Sequence, residues 1–374
     1  MKLVVPRVHA CAKDARDDLQ TENNSKSEEA MERIGVMTGG GDCPGLNAVI
    51  RAVVRKAFQN NIKVIGIKNG WKGLITTDAM DLDLNSVSGI LPKGGTILGT
   101  SRTNPYKNEE DAKKVIENYK KLKLDALIVI GGEDTLGVAS KLIKENKGMN
   151  IVGCPKTIDN DLSGTDFTFG FDTAVNIATE AIDRLHTTAE SHHRIMVVEV
   201  MGRHAGWIAI YSGLASGADI ILIPEIQIDL DEVCDILKKR QARGKGFSIV
   251  VVAEGSQFKA GQVVTQEERL DAFGHVRLGG IGETLAEEIE KRTNFETRVT
   301  VLGHIQRGGT PSAFDRVIAT RFGVKAIDLI LNKKFGYMAS LQGTEVKEVP
   351  IETAVVKLKT VDMRLYELAK TFFG

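Results

Sequence analysis

Short apolar runs alternate with longer segments of helical period along most of this chain, and this alternation limits the folds that it can adopt. Many of the apolar runs are continuous rather than alternating with polar residues, which is typical of strands covered by helices on both faces of a sheet. Repeated strand–helix units predict an α/β fold with doubly wound, mostly parallel sheets, in which ligands bind at the carboxyl ends of the strands.

The elements that follow from this pattern begin at residue 34. The predicted strands comprise residues 34–38, 64–67, 126–130, 151–153, 195–200, 220–223, 248–253 and 299–302. The predicted helices comprise residues 46–59, 111–121, 135–144, 173–189, 205–216, 230–240, 281–291 and 314–331. Residues 346–374 are only weakly periodic, so the sequence assigns no elements there.

Length and charge narrow the class of protein. A chain of 374 residues is long enough for two domains of ordinary size. Lys and Arg together number 49, as do Asp and Glu, so the chain has no net positive charge that would favour a nucleic acid or an anionic membrane as a partner. The four cysteines are dispersed, which argues against a disulfide framework or a structural zinc site and favours the cytoplasm. No apolar run reaches the length of a membrane span.

The first 32 residues differ in composition from the rest of the chain. They are polar and acidic, and after the first few residues they contain no sustained apolar stretch. Such a segment does not resemble a secretory signal. We expect it to form a polar, mobile extension.

Two polar segments carry most of the candidate chemistry. Residues 131–135, with the sequence GGEDT, follow the predicted strand 126–130, and residues 156–161, with the sequence KTIDND, follow a proline. Together they supply four carboxylates and an ammonium, which suits a Mg²⁺-dependent phosphoryl-transfer centre where one acid deprotonates an alcohol and others hold the metal. Loops that merely join α/β elements are also rich in Gly, Asp and Asn.

A glycine-rich turn follows the first predicted strand. Residues 38–47 read TGGGDCPGLN, and three consecutive glycines allow the backbone to approach a phosphate closely. The turn lacks the Lys and Ser/Thr of a P-loop and does not fit G-x-G-x-x-G, so a Ras-like NTPase or a dinucleotide-binding fold is disfavoured. A tight strand–helix connection would have the same composition.

Basic residues suggest how anions are bound. Arg102 follows a loop of small residues, and its guanidinium suits the charge that develops on a transferred phosphoryl group. Arg203 follows the predicted strand 195–200, and Glu254, at the end of another strand, is suited to accept hydrogen bonds from sugar hydroxyls. Each residue alone is equally compatible with a solvated surface. Four side chains are candidates for a sugar-phosphate pocket: Arg194, Arg298, His304 and Arg307.

Taken in this order, the motifs resemble those of the phosphofructokinase family, over roughly residues 33–331. The resemblance implies two Rossmann-like, doubly wound domains with the active site in the cleft between them. It assigns residues 33–170 plus about 306–357 to the phosphoryl donor, and residues 171–305 plus about 358–374 to the sugar phosphate.

The resemblance also implies roles for single residues. Asp159 would be the base that takes the proton from the 1-hydroxyl of fructose 6-phosphate. The further catalytic residues would be Thr157, Arg203 and Arg102. The donor would contact Gly40, Gly41, Asp134, Thr135 and Lys156. The sugar phosphate would contact Thr157, Asp159, Arg194, Met201, Gly202, Arg203, Glu254, Arg298, His304 and Arg307. Magnesium would be held by Glu133 and Asp161.

Two of these positions bear on the identity of the donor. Family members that use ATP tend to have glycine at the positions of Asp134 and Lys156, whereas those that use pyrophosphate resemble this chain. A carboxylate at Asp134 adds bulk and negative charge where the α-phosphate of ATP would lie, and Lys156 supplies a compact cation for pyrophosphate. Glu133 departs from the Asp that is usual in ATP-using members, and its extra methylene shifts the position of the carboxylate.

The sequence therefore predicts a Mg²⁺-dependent, reversible phosphotransferase that uses pyrophosphate to convert fructose 6-phosphate into fructose 1,6-bisphosphate in the cytoplasm, as a step of glycolysis and gluconeogenesis. In this family Arg194 and Arg298 reach into a neighbouring subunit, so a homodimer or homotetramer with shared active sites is implied. The alternatives are an ATP-dependent 6-phosphofructokinase and a non-catalytic sugar-phosphate sensor or regulatory subunit.

Overall fold

The computed structural model describes residues 31–145, 147–262 and 279–374. The predicted extension over residues 1–32 lies, apart from its last two residues, outside this described part. The strands are β1 (Arg33–Thr38), β2 (Lys63–Ile67), β3 (Ala79–Leu82), β4 (Ala126–Gly131), β5 (Ile151–Pro155), β6 (Ile195–Val200), β7 (Ile220–Leu222), β8 (Ser248–Ala253), β9 (Thr297–Val301), β10 (Tyr337–Gln342) and β11 (Glu345–Pro350).

Within the described residues these strands form two sheets. The first has seven strands in the order β11-β10-β5-β4-β1-β2-β3, and the second has four in the order β7-β8-β6-β9. Every pairing is parallel except β2 with β3 and β10 with β11, which are the outer pairs of the first sheet. The predicted α/β fold with mostly parallel sheets is confirmed.

Helices cover these sheets. They are α1 (Leu46–Gln59), α2 (Trp71–Thr76), α3 (Glu109–Lys121), α4 (Glu133–Lys144), α5 (Phe171–His192), α6 (Trp207–Ala215), α7 (Leu230–Ala242), α8 (Ile281–Thr293), α9 (Ala313–Leu331), α10 (Thr353–Val356) and α11 (Met363–Lys370). Short 3₁₀ helices occupy Pro105–Lys107 and Gly303–Arg307. In the described part of the chain, no helix combines the length and apolar character needed to cross a bilayer.

The two sheets draw on different parts of the chain. Strands of the first sheet come from residues 33–155 and 337–350, and those of the second from residues 195–301. After α9 the chain thus returns to the first sheet, where β11 forms one outer edge. The described residues pack as one unit. The domain limits near residues 170, 306 and 357 stay a prediction.

Close backbone contact joins α1 to α9. Apolar residues recur along α1 at helical spacing, and Val49 and Val53 are fully buried. The facing residue on α9 is Gly323, where an added Cβ atom would lie 2.7 Å from the carbonyl oxygen of Val49 and 2.8 Å from Cβ of Ala52. Glycine is therefore required at this crossing, because backbone atoms cannot move aside as a flexible side chain could.

Alanine substitutions at two helical glycines should change stability in opposite directions. Gly323→Ala should lower the free energy of unfolding by about 1–3 kcal/mol, because the new methyl group overpacks the α1–α9 contact. At Gly137 in α4 the nearest atom to an added Cβ is Val355 Cγ1 at 4.0 Å. Gly137→Ala should therefore raise stability by about 0.5–1 kcal/mol through helix propensity. Urea unfolding measures both changes, and effects of the same sign would contradict the packing described for α1 and α9.

Candidate active site

One pocket collects the polar segments that follow the strands of both sheets. Its lining residues are Gly40, Gly41, Arg102, Gly132, Glu133, Asp134, Thr135, Lys156, Thr157, Asp159, Asp161, Arg203 and Arg307. They come from the segments after β1, β3, β4, β5 and β6 and from the 3₁₀ helix after β9. Because carboxyl ends of parallel strands share one edge of a sheet, residues far apart in sequence meet there.

The glycine turn after β1 is held by its neighbours. Gly40 has a φ of 80°, its N–H donates to the carbonyl of Ser101 over 3.1 Å, and its carbonyl accepts from Thr100 Oγ1 over 2.6 Å. The N–H of Gly40 is thus already engaged within the protein. A Cβ atom on Gly41 would lie 2.7 Å from Arg307 Nη1, so the missing side chain leaves room for that guanidinium.

Two cations converge on this turn. Lys156 is 4% exposed, and its ammonium donates to the carbonyl of Gly41. Arg307 donates from Nη1 to the carbonyl of Asp42 over 3.4 Å, while its buried Nε has no hydrogen-bond partner in the described part of the chain. Burial, and to a smaller extent the charge of Arg307, lower the pKa of Lys156. Positive charge that is crowded and desolvated in this way favours an anionic ligand.

Of the two carboxylate oxygens of Asp159, one accepts a hydrogen bond within the described part of the chain and the other does not. Asp159 is 4% exposed, and its backbone N–H donates to Thr157 Oγ1 over 3.0 Å. The Thr157 hydroxyl lies 3.3 Å from Asp159 Oδ2 and donates to it. The other carboxylate oxygen, Oδ1, is buried and has no hydrogen-bond partner among the described residues. Such an oxygen is costly to leave unpaired, and a substrate hydroxyl would satisfy it.

Negative charge is crowded next to Asp159. Burial first, and then the charge of Asp159, raise the pKa of Asp161 above its ordinary value. The same two causes raise the pKa of Glu254 to about 7. A cation would relieve this crowding, because it favours the charged forms of nearby carboxyl groups.

The acids fit a magnesium ion that also binds phosphate. Asp161 and Glu133 both line the pocket, the first buried and the second exposed. Across the described residues, no group of three or more His, Cys, Asp or Glu side chains is arranged to hold a metal by itself. Magnesium commonly takes only one or two carboxylates from a protein and fills its other positions with water and phosphate oxygens.

Asp134 stands at the start of α4, within the same pocket as Gly40, Gly41 and Lys156. It is partly buried, whereas the neighbouring Glu133 is exposed. Thr135, the next residue, is 4% exposed and packs against the glycine turn. The predicted donor contacts are therefore brought together by the folded chain.

The loop after β6 brings the predicted sugar-binding residues next to the pocket. The N–H of Arg203 donates to Glu254 Oε1 over 3.2 Å, and the N–H of Met201 donates to Gln306 Oε1 over 3.3 Å. Between them Gly202 has a φ of 146°, and an added Cβ would lie 2.6 Å from the carbonyl oxygen of Ala205. Gln306 was not among the predicted site residues, although it lies between His304 and Arg307 in their motif.

Six predicted sugar-phosphate ligands are absent from the pocket lining: Met201, Gly202 and Glu254, described above, and Arg194, Arg298 and His304. Arg194 precedes β6 and Arg298 lies near the start of β9, so both are at the amino ends of their strands, away from the pocket edge. Both contact the exposed Glu296: Arg194 Nη2 is 2.8 Å and Arg298 Nη2 is 2.5 Å from its Oε1. His304 is exposed on the 3₁₀ helix that also carries Arg307.

Comparisons with known proteins agree with this geometry. The family model described as Phosphofructokinase matches residues 33–330. A relative from Streptomyces coelicolor, named pyrophosphate–fructose 6-phosphate 1-phosphotransferase, is 59% identical over 91% of this chain and 100% of its own length. A second protein from the same organism, named ATP-dependent 6-phosphofructokinase 3, is 52% identical over 90% of this chain and 99% of its own length.

A solved structure extends the comparison to the fold. The crystal structure of the pyrophosphate-dependent phosphofructokinase from Nitrosospira multiformis superposes with a TM-score of 0.78, covering 92% of each chain at 22% identity. This likeness supports the two-sheet architecture.

Proposed function

Because this chain belongs to the phosphofructokinase family, we propose that it transfers a phosphoryl group from pyrophosphate to the 1-hydroxyl of fructose 6-phosphate. The products are fructose 1,6-bisphosphate and orthophosphate. The observation that carries the proposal is that Asp134, Lys156 and Asp159 line one pocket, where Oδ1 of Asp159 is buried with no hydrogen-bond partner among the described residues.

In the proposed reaction Asp159 accepts the proton of the 1-hydroxyl, and Thr157 holds the carboxylate through its hydroxyl. The deprotonated oxygen forms a bond to the distal phosphorus in line with the bridging P–O bond, which breaks and releases orthophosphate. Arg102, Arg203 and Arg307 line the pocket and would balance the charge of the transferred group. When bound, magnesium neutralises phosphate charge, and Asp161 with Glu133 would hold it.

Substrate positioning would come from the segments after β6, β8 and β9 of the second sheet. The backbone links of Met201 to Gln306 and of Arg203 to Glu254 fix the loop that would face the sugar. Holding the hydroxyl and the phosphorus in this fixed geometry would supply a large part of the rate enhancement. The pocket also brings together Arg102, Asp159, Asp161 and Arg203, and the presence of this whole set argues against a non-catalytic sensor.

Pyrophosphate is favoured over ATP by charge and space. Asp134 would stand against the α-phosphate of ATP, and a like-charge contact of this kind rejects the larger donor. Lys156 and Arg307 supply compact positive charge near the glycine turn. The relative named ATP-dependent, at 52% identity, keeps the ATP-using activity as the second candidate. A pyrophosphate-driven reaction lies close to equilibrium, so we propose that it is reversible and serves both glycolysis and gluconeogenesis in the cytoplasm.

We also propose a homo-oligomer with shared sites. Arg194 and Arg298 are held together by Glu296 at the sheet edge away from the chain's own pocket. At that edge they would serve a second copy of the chain. The phosphate of the sugar would then meet guanidinium groups from two subunits.

A donor-swap assay tests the proposed function. With purified protein, Mg²⁺ and fructose 6-phosphate, pyrophosphate should support turnover with a kcat/KM at least about tenfold above that for ATP, a difference of about 1.4 kcal/mol. The reverse assay, with fructose 1,6-bisphosphate and orthophosphate, should give a comparable rate. A preference for ATP would assign the chain to the second candidate activity, and no turnover with either donor would contradict both.

A further inference from the structure

The ammonium of Lys359 is anchored on the loop that carries the proposed base. Lys359 lies between α10 and α11, close to the carboxyl end of the chain. Its Nζ donates to Asn160 Oδ1 over 3.0 Å and to the carbonyls of Thr165 and Asp166 over 2.9 and 2.8 Å. The three donors of the ammonium thus serve three oxygens of a single loop.

The backbone around Lys359 joins this loop to the second sheet. Its N–H donates to the carbonyl of Asp161 over 2.8 Å, and its own carbonyl accepts from Trp207 Nε1 over 2.8 Å. Two residues on, the N–H of Val361 donates to Glu225 Oε1 over 2.8 Å, and the same carboxylate accepts from the N–H of Gly206. The segment therefore ties the loop of Asp159 to the start of α6.

Asn160 is the point where this anchoring matters most. It lies between Asp159 and Asp161 with a φ of 51°, in the left-handed region that non-glycine residues rarely adopt. Its Oδ1 accepts from the N–H of Thr168 over 3.1 Å as well as from Lys359. A strained conformation persists only where its surroundings hold it, and Lys359 donates to Asn160 Oδ1 together with the N–H and the hydroxyl of Thr168.

We propose that Lys359 is a positioning residue for phosphoryl transfer, which acts by fixing the turn that sets Asp159 and Asp161 in the pocket. The assignment of a role in turnover rests on the proposed function. The structural part of the proposal does not depend on the reaction. Without the ammonium, three oxygens of the loop lose a charged donor and the turn at Asn160 relaxes. Small displacements of reacting groups have large kinetic effects, whereas substrate binding by residues on other loops is preserved.

The test compares Lys359→Met and Lys359→Arg with a matched control, Lys357→Met, which removes an exposed lysine two residues away. With pyrophosphate, Lys359→Met should lower kcat about 100-fold, with only a small change in KM for fructose 6-phosphate. Lys359→Arg keeps a charged donor and should retain most of the activity. Lys357→Met should match the unsubstituted protein.

Hydrogen exchange is a second measurement, which reports on the loop without requiring turnover. In Lys359→Met, amides of residues 157–168 should exchange faster than in the unsubstituted protein, while those of β6 stay protected. Unchanged exchange in the loop, an unchanged kcat, or equal losses of kcat in the Met and Arg variants would overturn the proposal. If the unsubstituted protein turns over neither donor, the proposed function fails, and hydrogen exchange alone still decides whether Lys359 fixes the loop.

Discussion

Asp159→Asn should lower kcat by about 10³-fold, within the 10²–10⁴ range of a lost general base. Asparagine has nearly the same shape, so the contacts of residue 159 with Thr157 remain possible, but its amide has little capacity to accept the proton of the sugar hydroxyl. Binding of fructose 6-phosphate should stay within a few-fold of the unsubstituted protein, because other residues hold the sugar. Turnover in a coupled assay and binding by calorimetry separate the two effects.

Asp183→Asn is the matched control for this substitution. Asp183 is exposed on α5 and is not among the residues that line the pocket. Its replacement should leave kcat close to that of the unsubstituted protein. Equal kcat values for Asp159→Asn and the unsubstituted protein would show that another group removes the proton.

Asp134→Gly should shift the choice of donor towards ATP. We expect kcat/KM for ATP to rise at least about tenfold, because a like-charge contact in the pocket is removed and space is opened. The kcat/KM for pyrophosphate should not rise, since Lys156 and the glycine turn, which would bind this donor, are unchanged. Steady-state rates with both donors, at fixed Mg²⁺ and saturating fructose 6-phosphate, measure the shift.

Removing an acidic residue from the first turn of a helix slightly lowers the stability of that helix, so Asp134→Gly needs a control. Asp111→Gly makes the same change in the first turn of α3, outside the pocket. This variant should show the same ratio of rates for the two donors as the unsubstituted protein. An unchanged donor ratio in Asp134→Gly would rule out the steric and electrostatic argument for pyrophosphate.

Much of the fold could be predicted from the sequence because buried parallel strands and amphipathic helices have clear periods. The strand at Ser248–Ala253 and the helix at Leu46–Gln59 were predicted with these limits. The sequence did not indicate β3, β10 and β11, which belong to the antiparallel outer pairs of the first sheet. β3 has only four residues and β11 is half-exposed, so their apolar signal is weak, and the buried run of β10 is interrupted by the polar Ser340.

The residues of the candidate site could also be predicted only in part. Residues next to strand ends, such as Asp134 and Asp159, could be placed in one pocket because parallel strands bring their carboxyl ends together. Gln306 and Lys359 were missed because their roles depend on contacts with loops more than 100 residues away in sequence. Arg307, predicted to contact the sugar phosphate, also lies against the glycine turn.

The outer strand β11 has a consequence for how the protein behaves at high concentration. Its half-exposed residues carry charges of both signs, with Lys347 3.3 Å from Glu345 and the Glu348 carboxylate 2.5 Å from Lys334. An edge strand has unpaired backbone N–H and C=O groups that can form hydrogen bonds with a strand of another molecule. The charged residues of β11, together with Pro350 at its end, make such pairing unfavourable. The hairpin thus ends the sheet and protects it against aggregation through added strands.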